Sequence, residues 1–152
     1  MEPPQKLNLY LNINLISERI SDIKRALEII SKIAVTNKES FLKDEIMMSA
    51  AKYQLILAIE AAQNICNHLA ARVARTAPTS YADCFRILAE NQIISDKLAH
   101  KLTSMAKFRN LLVHQYGKID NVIIYQIISS DTIDLQNYIR EIKFFLEGLR
   151  KG

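Results

Sequence analysis

From Ile13 to Ala34 the apolar residues recur at alternating intervals of three and four: Ile13, Ile16, Ile20, Ile23, Leu27, Ile30 and Ala34. Only a helix gathers such a series onto one stripe, and that stripe has to be buried against another element. The pattern returns in Met48, Ala51, Leu55, Ile59, Ala62, Cys66, Leu69 and Val73, again in Ile94, Leu98, Leu102, Met105 and Leu112, and last in Leu135, Ile139, Ile142, Leu146 and Leu149. Three glycines and three prolines in 152 residues are too few for a sandwich or barrel, which needs a turn roughly every 8–12 residues. The chain therefore predicts an all-α antiparallel bundle of about four long helices plus short ones, in a single domain over residues 1–152. Ile-rich stripes at heptad-like spacing also suit helix pairing between two copies, so a homodimer is expected, although one chain can bury the same stripe internally.

Punctuation refines the elements. Thr36 and Asn37 interrupt the first helix, and Pro78 is expected to end the second. Ser80 with Asp83 three positions later forms a capping box for a short helix through about Glu90. The third long helix is expected to start near Ser95 and to stop at Gly117 through a positive φ. Residues 119–128 read as a short helix or an ambiguous apolar run, and Asp131 as the cap of the last helix.

Composition removes several classes. With 49% hydrophobic residues and a net charge of +4, the chain is too apolar for a disordered tail. Its longest wholly apolar run, Leu55 to Ile59, is far short of the roughly 20 residues that cross a bilayer. Met1-Glu2-Pro3-Pro4 lacks the basic and apolar regions of a signal peptide, so a cytoplasmic location is expected. Cys66 and Cys84 form no CxxC pair, and in a reducing compartment they read as free, packed thiols. A pI near 9.1 permits polyanion binding without requiring it.

Chemistry concentrates at the end of the third long helix, in Phe108-Arg109-Asn110-Leu111-Leu112-Val113-His114-Gln115-Tyr116. Arg109 and Tyr116 are seven positions apart and point within about 20° of each other if the helix persists that far. Arg109 and His114 are separated by about 140°, so they converge on one ligand only if the helix loosens near His114 or two subunits share the site. Two readings fit the spacing. An Arg, a His and a Tyr at a helix C-terminus complement its dipole and cap its carbonyls. Alternatively, a planar phosphate donor, a group that exchanges protons near neutral pH and a phenol suit phosphodiester chemistry.

The string Arg109-x4-His114-x-Tyr116, with Phe108 before it and Asn110 within it, resembles the RX4HXY signature of the HepT-like toxins, small helical ribonucleases of the HEPN superfamily. Ala58-Ile59-Glu60, Pro78-Thr79-Ser80-Tyr81-x-Asp83 and Met105-Ala106-x-Phe108-Arg109-Asn110 resemble the family's pattern in order and spacing, over roughly residues 10 to 150. The resemblance implies a homodimeric bundle in which two motif copies face one cleft and cleave RNA without a metal. His114 would then be the general base or acid for attack by the ribose 2′-hydroxyl, and Arg109 would stabilise the charge on the phosphorane oxygens. Asn110 would orient the site, or simply hydrogen-bond at the helix end, and Tyr116 would position a phosphate. The resemblance also implies a partner nucleotidyltransferase antitoxin of the MntA type, which in some pairs attaches AMP to the motif tyrosine, here Tyr116. A reading from another class is a noncatalytic helical subunit that binds substrate for, or docks onto, a nucleotidyltransferase. The proton-transfer residue beside a phosphate binder favours the nuclease.

Other polar residues carry weaker signals. Glu60, Asn64, Asn67 and His68 share one face of the second helix, either a solvated face or, for Glu60, a cleft wall that hydrogen-bonds Arg109. His68 reads as a surface residue. His100 shares no ligand spacing with another histidine, and neither HExxH nor a zinc-type cysteine pattern occurs, so no metal is expected. Arg72, Arg75, Lys97, Lys101 and Lys107 form either an RNA-guiding set or a solubilising one. No Gly-rich loop is present to cradle a nucleotide, and no cofactor is expected.

Overall fold

The computed structural model describes residues 11–151. Among the described residues seven α-helices follow in order: α1 (Ile13–Ala34), α2 (Lys38–Leu42), α3 (Glu45–Arg72), α4 (Tyr81–Glu90), α5 (Asp96–His114), α6 (Asn121–Gln126) and α7 (Ile133–Lys151). Among the described residues there is no strand. Each of α1 to α6 starts on a short polar side chain, Asn12, Asn37, Asp44, Ser80, Ser95 and Asp120, whose oxygen accepts an amide of the first turn. Such a cap contributes about 1 kcal/mol, and it fixes where each helix begins. Half of the expected capping box is present: Ser80 Oγ accepts from the Asp83 amide at 3.0 Å. The Asp83 carboxylate reaches back to the amide of Thr79 rather than to that of Ser80. That hydrogen bond, followed by those from Arg86, holds its carboxyl below the usual carboxylate range.

The long helices bury most of the expected stripes, with Ile13 at the start of α1 left exposed. Ile16, Ile20, Ile23 and Ile30 of α1 face Leu55, Ile59, Ala62, Cys66 and Leu69 of α3, with Leu98 and Leu102 of α5 and Leu135, Ile139 and Ile142 of α7 also buried. The short connection, with α2 inside it, sends α3 back along α1. Tyr138 of α7 is fully buried, donates to the Ala62 carbonyl at 2.9 Å and meets Phe85 edge-on. A second apolar cluster joins the end of α1 and the start of α3 to Phe41, Leu112, Ile124 and Ile128. Leu112 is fully buried there while its neighbours Leu111 and Val113 are exposed. One leucine thus pins the end of α5 and turns the flanking residues outward.

Four local expectations are corrected. α3 ends at Arg72, ahead of Pro78, because the amides of Ala74 and Thr76 fold back onto the carbonyls of Leu69 and Ala70 with Arg75 at φ 51°. α5 ends at His114, not at Gly117: Gln115 leaves the helical region at φ −130°, a 3₁₀ turn spans Tyr116–Lys118, and no described glycine has positive φ. Asp131 closes a π-helical turn (Ile127–Asp131), and α7 begins after it. Cys66 and Cys84 are not free thiols. They are joined by a disulfide with Cα atoms 6.1 Å apart, both side chains fully buried. α4 folds back over α3 and lays Cys84 onto Cys66, a juxtaposition that spacing and compartment arguments do not capture. Among the described residues no helix is long and apolar enough to cross a membrane.

Candidate functional site

The motif residues stand on the last two turns of α5 and the 3₁₀ turn after it, and both dock onto α3. Arg109 Nη2 donates to Glu60 Oε1, with side chains 19% and 39% exposed. The ion pair is half-sheltered, which restricts the guanidinium to one orientation. Nη1 makes a long contact of 3.4 Å with Asn110 Oδ1. Nε is buried without a hydrogen-bond partner among the described residues. Glu60 also lines a groove of about 520 Å³ between α1 and α3, with Arg25, Tyr53 and Asn64 on its walls. Asn64 turns its amide to the Glu60 carbonyl at 2.9 Å.

His114 is the last residue of α5 and exposed, and its imidazole makes no hydrogen bond or ion pair among the described residues. α5 remains helical through His114, so the imidazole and the Arg109 guanidinium stay about 140° apart around one axis. The loosening that would let them converge within a single chain does not occur. Tyr116 does not continue the Arg109 face either, because the helix stops before it. Instead its hydroxyl donates to the Ser49 carbonyl at 3.3 Å. Lys52 Nζ donates to the Tyr116 carbonyl at 3.2 Å and sits 4.8 Å from the centre of its ring. Arg109 and Tyr116 therefore bind α3 at positions eight residues apart, Glu60 and Lys52, about 12 Å along its axis.

Lys52 escaped the sequence reading although a signal was present: it lies four residues after Met48 and three before Leu55, on the stripe that must be buried. The remaining candidates lie elsewhere. His68 Nε2 accepts the Asn12 amide at 2.9 Å and so helps to start α1. Burial, and then the nearby Arg72, pull its imidazole below the ordinary value. His100 is exposed, as are Lys97 and Lys107, while Lys101 approaches Asp134 at 3.6 Å. Among the described residues no three His, Cys, Asp or Glu side chains are grouped to hold a metal.

A helical bundle that carries the RX4HXY string at the end of a helix defines a HEPN-type protein. The chain belongs to the ribonuclease HepT-like family, whose model matches residues 11–142. The mRNA nuclease HepT of Shewanella oneidensis is 27% identical over 130 residues, 86% of this chain and 97% of that protein. The tRNA nuclease HepT of Aphanizomenon flos-aquae is 25% identical over 137 residues, 90% of this chain and 93% of that protein. Among solved structures, the tri-AMPylated HEPN toxin of Shewanella oneidensis in complex with its MNT antitoxin superposes with a TM-score of 0.79 at 27% identity, covering 85% of this chain and 96% of that one.

Proposed function

We propose that this protein is a metal-independent endoribonuclease toxin, working as a homodimer and neutralised by an MntA-type nucleotidyltransferase. The carrying observation is the Arg109–Glu60 pair between α5 and α3, which orients a guanidinium on the helix whose last residue is the exposed His114, in a family of ribonucleases. In this reading His114 takes the proton of a ribose 2′-hydroxyl. The 2′-oxygen attacks the adjacent phosphorus, the bond to the 5′-oxygen breaks, and the His114 imidazolium returns its proton to that leaving oxygen. Arg109 binds the non-bridging oxygens as their charge grows, exchanging part of its contact with Glu60 for the phosphate. The products are a 2′,3′-cyclic phosphate and a 5′-hydroxyl end, and every proton is handled by side chains.

Homodimerisation supplies what one chain lacks, since the roughly 140° between Arg109 and His114 is spanned when two motif copies face each other. Ile46, Tyr53 and Leu57 leave an exposed apolar line on α3 that runs toward Glu60. Such a line suits burial by a second copy. In excess EDTA the purified protein is expected to cleave single-stranded RNA and leave cyclic phosphate ends. Activity that disappears with the chelator, or 3′-hydroxyl products, contradicts the mechanism.

Tyr116 is 39% exposed at the edge of this site. AMP attached to its hydroxyl would add a bulky anion at the rim of the site, where it repels RNA approaching His114 and Arg109. The Shewanella toxin's AMPylated state supports the same device here. After co-expression with the cognate transferase, intact mass is expected to rise by one or more AMP units, and Tyr116→Phe is expected to abolish at least the first. Full addition to the variant would place the modification elsewhere.

A further inference from the structure

Lys52 is a buried lysine, 7% exposed, in the first third of α3. No carboxylate among the described residues pairs with its ammonium, which is spent on the Tyr116 carbonyl at 3.2 Å and on the face of the Tyr116 ring at 4.8 Å. An unpaired charge in such a position is unfavourable, and a methionine would fill the same space without that cost. The turn it touches has little else to hold it. Residues 115–118 are all exposed, and the turn's own backbone supplies the bond from the Lys118 amide to the Gln115 carbonyl at 2.8 Å. Beyond Lys52, the Tyr116 hydroxyl meets the Ser49 carbonyl at 3.3 Å, one helical turn from Lys52 on α3. His114 is two residues upstream of this anchor, on the final turn of α5.

We infer that Lys52 is a positioning residue of the RNA-cleaving site. Its ammonium clamps the Tyr116 turn onto α3, and so fixes the helix end from which His114 projects. A charged donor suits the task because it engages a carbonyl and an aromatic face together, and both contacts weaken if the charge is removed. Lys52 touches no substrate in this scheme; it acts through the backbone and ring of Tyr116. The inference rests on the ribonuclease reading.

The test compares full-length wild type with Lys52→Met, Lys52→Gln and Lys52→Arg, reading amide hydrogen exchange without RNA and the kinetics of RNA cleavage. In Lys52→Met, exchange over residues 115–119 is expected to rise at least about tenfold while the interiors of α3 and α5 stay protected. The rate constant kcat is expected to fall about 10- to 100-fold with a smaller change in KM, because displacement costs orientation more than binding. Lys52→Arg is expected to lie nearer wild type than Lys52→Gln in both readouts. Should Lys52→Met fail to fold, the Gln and Arg pair decides. Unchanged exchange over residues 115–119, a loosened turn with full kcat, or a Gln variant that outperforms the Arg variant overturns the assignment. Wild-type protein that cleaves no RNA removes the ribonuclease reading and the inference with it, a result distinct from an active wild type whose Lys52 variants behave identically.

Discussion

Alanine at position 114 is expected to slow RNA cleavage by about 10² to 10⁴ while leaving the fold intact, the usual contribution of a positioned acid–base group. The two halves of this expectation come from the same geometry. His114 is exposed at the end of α5 and bonds to no described residue, so its removal opens no cavity and strands no buried donor. Stability should move by no more than about 0.5 kcal/mol. Leu112, which is fully buried two residues earlier, continues to pin the helix end. The loss should therefore appear in kcat with unchanged circular dichroism and melting temperature, and toxicity in a growth assay should fall with it. A folded His114→Ala protein that cleaves at the wild-type rate assigns the proton transfer to another group.

Arg109→Ala is expected to cost about 10² to 10³ in kcat, the scale for losing one oriented donor to a developing oxyanion. Here the fold is also affected, because Glu60 loses its partner. At 39% exposure the carboxylate can rehydrate, so the destabilisation should be about 1–3 kcal/mol, between that of a surface pair and that of a buried one. Arg109→Lys separates the roles: it keeps the charge but not the planar fork, and should recover stability better than activity. Both variants are to be measured by denaturant melts and by cleavage in chelator. If Arg109→Ala is unfolded by circular dichroism and Arg109→Lys is fully active, the guanidinium serves the bundle and not the reaction.

The helices themselves were legible residue by residue. Ser80 and Ser95 cap where their hydroxyls predict, and the Ile stripe of α1 is buried almost as spaced. Stop signals were less reliable. Pro78 and Gly117 have the right chemistry for ending helices, but Ala74 and Thr76 had already turned the chain at Arg72, and Gln115 had already left the helical region after His114. A helix ends where its terminal carbonyls find other partners, and those partners need not be the residues best suited by type.

Candidate site residues were legible as types and as a string, since Arg109, His114 and Tyr116 lie within eight positions of one another. Glu60 appeared only as one of two open readings, and Lys52 not at all, though each lies on α3 opposite a motif residue.

Helical periodicity and capping oxygens, read along the chain, were enough to set an all-α bundle and to put the guanidinium, imidazole and phenol at one helix end. The return of α3 beneath α5 decided the rest: Glu60 against Arg109, Lys52 under Tyr116, and the Cys66–Cys84 bridge to α4. The reason is one of range. Capping and periodicity act within about a turn or two of helix, whereas these pairs join residues 49, 64 and 18 positions apart, and only the packing of whole helices brings them within reach.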